Sequence, residues 1–303
     1  VIPTLRSLPD PGALTTYLRE RYGLGFTGCT LLRSLVNDVY ELTTADARYI
    51  LKLYRYGGRH PDEIRWETGL SAHLVANGVR TPAVHPLPDG DPVGLLDAPE
   101  GPRPFVLQEF VDGTKPPYRE SLYREFGGLV ARFHEMADSY VPEFPRLAPD
   151  LSQQVEELRP HLAPAQENLL RALTDAVRDN LAQYSLASGI CHGDVTLDNL
   201  LLVAGNGLVL YDFDLAAVGY RAADFTGVAA TPYWDAFKAG YSAHRPISAD
   251  DEAAIPCLGV VARISNLHFH LVDKPLIRGA ESRTEGWADR ELTALEQAAE
   301  RLL

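Results

Sequence analysis

His192-Gly193-Asp194-Val195-Thr196-Leu197-Asp198-Asn199, the apolar runs Leu200–Val203 and Leu208–Leu210 around Gly205-Asn206-Gly207, and then Tyr211-Asp212-Phe213-Asp214 form the stretch whose reading decides the fold. Two short apolar runs separated by turn residues are predicted to pair as a hairpin. Such a hairpin brings Asp194, Asn199 and Asp212 to the same end. An Asp and an Asn side chain offer hard oxygen ligands suited to Mg²⁺, and a separate Asp nearby can accept a hydroxyl proton. Asp and Asn are also ordinary turn residues. A His-Gly-Asp-x-x-x-x-Asn string followed by an apolar-flanked Asp-x-Asp is nevertheless far more specific than either part alone.

Upstream, a helix is predicted from Asp10 to Arg21, followed by strand-like runs at Gly28–Arg33, Val39–Thr44 and Arg48–Tyr54 that read as an antiparallel meander,. Pro61–Asn77 reads as a helix opened by proline and stopped by Gly78. Val79–Arg103 is dense in Pro, Gly and Asp and reads as loop with a short strand at Ala83–Leu87, before a strand at Phe105–Phe110. Lys52 interrupts the apolar strand Tyr49–Tyr54, and a charge inside such a run needs a partner. Glu67 on the following helix is the candidate, which would hold Lys52 against nucleotide phosphates; the alternative is a lysine pointing off a sheet edge into water.

Gly23-Leu24-Gly25-Phe26-Thr27-Gly28 fits G-x-G-x-x-G, but it follows a helix and leads into a strand, the reverse of the dinucleotide-binding context,. The better phosphate cradle is the turn Ser34-Leu35-Val36-Asn37-Asp38, through its backbone N–H groups and the Ser34 and Asn37 side chains. An ordinary hairpin turn is the other reading.

The lobe boundary is placed at Val111-Asp112-Gly113, giving an N-terminal nucleotide-binding lobe over 1–110 and a catalytic and acceptor-binding lobe over 111–303. Beyond the boundary the signals are helical at 119–136, 151–160, 164–184, 231–243, 250–271 and 287–303, which makes the class α+β. Tyr233, Trp234, Phe237 and Tyr241 share one helical segment and offer aromatic walls for a cleft or a core. His268 and His270 are two apart and cannot share a helix face as metal ligands.

Composition narrows the partners. The 303 residues are 46% hydrophobic and 23% charged, the balance of a globular protein with a substantial core,. A net charge of −13 argues against a nucleic-acid or anionic-membrane surface and favours a cationic or neutral partner,. Three scattered cysteines, Cys29, Cys191 and Cys257, form neither a disulfide framework nor a zinc pattern. No run approaches the roughly 20 uninterrupted apolar residues of a membrane span. The first residues lack the pattern of a signal peptide, so a cytoplasmic location is expected.

On the strings His192–Asn199 and Tyr211–Asp214, the sequence resembles the aminoglycoside phosphotransferase and choline kinase family over nearly its whole length. The resemblance implies a bilobal protein-kinase-like fold, with an antiparallel sheet lobe followed by a mainly helical lobe. It implies ATP and Mg²⁺ as cofactors, Asp194 as catalytic base, Asn199 and Asp212 as metal ligands, and His192 bracing the loop. Asp214 either reaches a metal or only shapes the turn, and Asp224 looks like the family's structural Asp. It supports the Asn-containing turn as phosphate cradle, and it makes the Glu109 carbonyl and the Val111 amide the adenine contacts, where the residues alone read equally as a core strand. The expected activity is transfer of the γ-phosphate of ATP to a hydroxyl of a small molecule: an aminoglycoside-like antibiotic, homoserine, choline, a sugar or another natural-product alcohol. The alternatives are a peptide hydroxyl as acceptor, or a nucleotide-binding scaffold that has lost catalysis. An Asp-x-Asp phosphatase with Asp212 as nucleophile ranks last, because only helical sequence follows that motif.

Overall fold

The computed structural model describes residues 2–143 and 146–303. The chain begins with α1 (Pro11–Tyr22), whose cap Asp10 accepts the Ala13 amide at 2.9 Å and whose first turn holds a proline, both favoured helix starts,. There follow β1 (Gly28–Ser34), β2 (Asp38–Thr43), β3 (Arg48–Leu53), α2 (Pro61–Ala76), β4 (Val84–His85), β5 (Gly94–Ala98) and β6 (Gly101–Glu109). These strands form one antiparallel sheet in the order β1-β2-β3-β6-β4, with β5 also paired to β6.

The period-2 pattern sorts the two faces of that sheet. Tyr40, Leu42, Leu51, Leu53, Phe105 and Leu107 are buried in one cluster with Leu14 and Leu18 of α1. On the other face Val106 packs with Ile64 of α2. Each fully buried leucine contributes about 1.5–3 kcal/mol through removal of apolar surface from water. The β5–β6 hairpin stands where the sequence reads as loop. Pro102 and Pro104 lie in β6 opposite Asp97 and Leu95, near the sheet edge where missing N–H groups are tolerated, so punctuating residues conceal a real strand pair,.

The remaining elements are α3 (Glu120–Ala137), α4 (Leu151–Leu158), α5 (Pro164–Leu181), β7 (Ser188–Cys191), the hairpin β8 (Leu200–Val203) and β9 (Gly207–Leu210), β10 (Ala217–Tyr220), α6 (Thr226–Ala229), α7 (Trp234–Ser242), α8 (Ala249–His268), α9 (Lys274–Arg278) and α10 (Trp287–Leu302). The residues gather into two compact units, one of Val1–Pro116, Ser139–Phe144 and Leu200–Asp212, the other of Pro117–Asp138, Pro145–Asn199 and Phe213–Leu303. The first unit thus runs past Phe110 and includes the β8–β9 hairpin. Thr114 and Leu202 exchange backbone hydrogen bonds at 3.0 and 2.8 Å, and the Leu210 amide donates to the Arg80 carbonyl at 3.0 Å.

In the second unit Leu158, Leu170, Leu173, Val260, Ile264 and Leu295 build a core from α4, α5, α8 and α10. α3 and α7 pack with their backbones in close approach: a Cβ on Gly127 would run into the Phe237 carbonyl, and one on Gly240 into that of Arg124. Phe237 and Tyr241 of α7 are buried against Phe225, so these two aromatics are core rather than cleft wall. The continuous helical run Ala249–Arg278, though interrupted by charged and polar residues such as Arg263 and Asn266, is long and apolar enough to cross a bilayer by length and composition; half of its most apolar stretch is buried inside the protein, as in a core helix.

That run changes pitch at its end. Phe269–Asp273 is a π-helical turn between α8 and α9, and His268 just before it is 9% exposed between two carboxylates, with Nε2 2.7 Å from Glu157 and Nδ1 3.1 Å from Asp273. The Asp273 hydrogen bond, and then that of Glu157, raise His268 above its ordinary 6.5 against the opposing effect of burial. A base whose folded pKa is raised stabilises the fold fully below the unfolded value and loses that contribution as pH climbs through the raised one. Melting temperature is therefore expected to fall as pH rises above 6.5, and His268→Gln is expected to flatten that slope. A thermal-denaturation series whose slope is the same in both proteins would refute the coupling.

Candidate active site

β7 delivers the chain into His192-Gly193-Asp194, and pairing of Cys191 with Ala217 of β10 fixes where that loop starts. Gly193 has φ 81° and a Cβ there would strike the Leu215 backbone, so only glycine fits,. Behind the loop lies Asp224, 2% exposed, whose Oδ2 accepts from the His192 amide at 2.7 Å and from His134 Nε2 at 2.9 Å, while Oδ1 accepts from the Gly193 amide at 2.8 Å. Burial disfavours the Asp224 charge, but the hydrogen bonds from His134 and the His192 amide outweigh it and hold the carboxyl below its ordinary value. Burial also lowers His134, so the ring is neutral. It carries its proton on Nε2 for Asp224 and accepts the Tyr241 hydroxyl on Nδ1 at 2.8 Å,.

With its backbone fixed, the loop presents Asp194 as an exposed residue. Asn199, itself buried, donates Nδ2 to the Asp194 carbonyl at 2.9 Å and to its Oδ2 at 2.7 Å. The His192 ring is fully buried, its centroid 5.0 Å from that of Phe213. Asp214 lies in the single 3-10 turn Phe213–Leu215, and its carbonyl accepts from Arg146.

In the first unit, Lys52 is 9% exposed, with Nζ 3.4 Å from Glu67 Oε1 and 3.3 Å from Asp212 Oδ1. The lysine therefore turns inward, and the sheet-edge alternative does not describe it. Glu67 is 4% exposed and also accepts the Tyr54 hydroxyl at 3.4 Å. Asp212 has φ 67°, the one non-glycine residue with positive φ among the described residues. Such backbone is costly and concentrates at functional positions.

The turn after β1 is held by a second buried carboxylate. Asp38 and Arg103 are both 0% exposed, Arg103 Nη2 donating to Asp38 Oδ2 at 2.6 Å and Nη1 to the Ser7 carbonyl at 2.8 Å. Arg6 donates to the Leu35 carbonyl at 3.1 Å, to Ser34 Oγ at 2.7 Å and to Asp38 Oδ1. Burial again opposes ionisation, and the contacts from Arg103, Ser34 and Arg6 prevail, so Asp38 stays below the ordinary carboxylate range. Ser34 Oγ donates to Asp38 Oδ1 at 2.7 Å, which commits its hydroxyl within the turn. Asn37 is buried and its carbonyl accepts the Leu35 amide at 3.2 Å. Glu109 ends β6 with its amide bonded to the Ala83 carbonyl at 2.8 Å, and half-buried Val111 lies beyond the strand. Arg6, Asp38, Arg103 and His134 escape sequence reasoning, because the contacts Arg6–Ser34, Arg6–Asp38, Arg103–Asp38 and His134–Tyr241 span 28 to 107 residues and no local pattern links them.

Among the described residues no group of three or more His, Cys, Asp or Glu side chains could hold a metal ion. Mg²⁺ needs less than that, since it keeps waters and phosphate oxygens and takes one or two protein oxygens. Asn199 commits its amide nitrogen to Asp194 and keeps a side-chain oxygen, and Asp212, in the first unit, carries a carboxylate. Each is a hard oxygen donor of the kind Mg²⁺ takes.

Residues 29–254 match the phosphotransferase enzyme family. An uncharacterized protein of Deinococcus radiodurans is 35% identical over 277 residues, 84% of this chain and 80% of that protein. A homoserine kinase of Neisseria meningitidis serogroup B is 30% identical, over 79% of this chain and 83% of its own. Among solved structures, the amicoumacin kinase hAmiN superposes with a TM-score of 0.79 at 17% identity, covering 95% of this chain and 94% of that one. The sheet-then-helix order and the family match agree, and the chain belongs to the phosphotransferase enzyme family, with its protein-kinase-like fold, as an ATP-dependent phosphotransferase whose acceptor is an alcohol group.

Proposed function

We propose that the protein transfers the γ-phosphate of ATP to the hydroxyl of a small alcohol that also carries an amine. The observation that carries the nucleotide half is the buried Lys52 ammonium within 3.4 Å of Glu67 and 3.3 Å of Asp212. A lysine oriented between two carboxylates in this way is suited to phosphate oxygens,. The acceptor class is supported by the homoserine kinase relative, whose substrate name denotes a hydroxyl and an amine in one small molecule, and by the net charge of −13.

In this reading Lys52 binds phosphate oxygens of the nucleotide and Glu67 fixes its direction. Backbone N–H groups of the turn 34–38 lie along the phosphates, and the Glu109 carbonyl and Val111 amide meet the adenine. Asn199 and Asp212 would be the Mg²⁺ ligands, and the ion would offset phosphate charge. Asp194, exposed and braced by Asn199, accepts the hydroxyl proton as the acceptor oxygen bonds to the γ-phosphorus and the bond to the bridging oxygen of ADP breaks,. His192 and Asp224 act through the loop backbone, and Asp214 shapes the turn through its carbonyl.

A screen of ATP consumption against amine-bearing and amine-free alcohols, with product masses read for one added phosphate, tests the activity and its acceptor class together. Turnover confined to amine-free sugars would reject the amine. With the acceptor found, Asp194→Asn is expected to keep nucleotide affinity and to lose about 10²- to 10⁴-fold in kcat, the range for a removed general base; wild-type kcat would remove Asp194 from the chemistry. Lys52→Met is expected to fold normally and to lower kcat/KM for ATP by on the order of 10², as removal of a fixed electrostatic contact does. Unchanged kcat/KM would leave the lysine a purely structural cation.

A further inference from the structure

β1 enters the turn 34–38 through a β-bulge. Leu31 pairs with Tyr40, and a regular ladder would then set Leu32 against Val39 and Arg33 against Asp38. Instead the register shifts, Leu32 is left over, and Arg33 pairs with Val39 while Ser34 pairs with Asp38. Val39 pairs in turn with Lys52, and Lys52 with Val106. Directly opposed residues share a sheet face. The extra residue therefore moves Arg33 off the face of buried Asp38 and onto the face of Lys52, the re-aiming that bulges perform.

The side chains follow the register. Lys52 Nζ lies 3.3 Å from Asp212 Oδ1, and Arg33 Nη2 lies 3.9 Å from Asp212 Oδ2, so one carboxylate stands between two cations of a single sheet face. The Arg33 side chain is 63% exposed. A solvated pair at that distance adds little to folding, so stability does not account for the bulge. A guanidinium presents a planar fork of donors matched to phosphate oxygens, and an exposed one can leave a carboxylate for a more highly charged anion.

We infer that Arg33 is a second cation of the phosphate site, binding the β- and γ-phosphates of the nucleotide beside Lys52. This rests on the nucleotide reading above. Arg33 then adds affinity for the phosphate chain and none for the nucleoside. Affinities of ATP and of adenosine are measured by calorimetry for the wild type, Arg33→Ala and Arg33→Lys, with circular dichroism to confirm the fold. Arg33→Ala is expected to weaken ATP about tenfold, the loss of one charge-assisted contact, and to leave adenosine within about twofold. Arg33→Lys is expected to recover part of the ATP loss by keeping the charge without the fork. Equal losses for ATP and adenosine, or no loss for ATP, overturn the assignment. A wild-type protein that binds neither ligand overturns the nucleotide reading itself, a result distinct from an indifferent Arg33.

Discussion

A carboxylate with no access to water must have its charge met by fixed hydrogen bonds, and Asp224 is met by two backbone amides of the His192–Asp194 loop and by His134,. The constraint works in both directions. The loop supplies what the buried charge requires, and the charge fixes the loop in one conformation. Removing one partner of such a buried set costs about 3–5 kcal/mol, a large share of a typical folding free energy. The neutral His134 ring extends the chain of fixed groups to Tyr241 on α7, so the conformation of the loop is tied to helix packing some distance away in sequence. Asp194 stands exposed on a backbone that these buried bonds fix, with Asn199 holding its carboxylate.

The sheet unit uses the same device on its own turn. Asp38 is fully buried, and Arg103, Arg6 and Ser34 meet it from three directions. Arg103 also bonds the Ser7 carbonyl, and Glu100 accepts from the Ser7 amide and hydroxyl, so the segment before α1 is fastened to the back of the turn. This changes what the turn can offer a ligand. Its serine hydroxyl faces inward to the carboxylate and is committed within the turn. A turn without glycine is held rigid by a charge network where a glycine-rich loop would rely on conformational freedom.

Local pattern made most of this legible. Alternation in Val39–Thr44 and Arg48–Tyr54 locates the meander, proline at Pro61 and Pro164 marks helix starts, and a lysine inside an apolar strand points to Glu67. What stayed hidden lacked a local signature. Arg103 meets Asp38 across 65 residues, and the β5–β6 hairpin is written in prolines and glycines that ordinarily interrupt strands. The bulge at Leu32 was equally silent, because Leu31-Leu32-Arg33 reads as regular strand in either register. A shift of one residue decides which face an arginine takes, and only pairing with β2 reveals it,.

The charges gathered on that face bear on how a nucleotide would be received. Arg33 and Lys52 stand against Glu67 and Asp212, two cations and two carboxylates with no net charge between them. A neutral set holds its own members in place, yet it offers little long-range attraction to a polyphosphate. Asp212 sharpens the conflict, since its backbone occupies a costly left-handed conformation that keeps a carboxylate beside Lys52 and Arg33,. A carboxylate placed there at such expense would repel phosphate oxygens unless a positive ion came between them. In the nucleotide reading proposed above, a divalent cation bound with the nucleotide would give Asp212 a partner and leave Lys52 and Arg33 to the phosphates. On that reading the strained aspartate and the two cations are one arrangement whose charges balance without ligand.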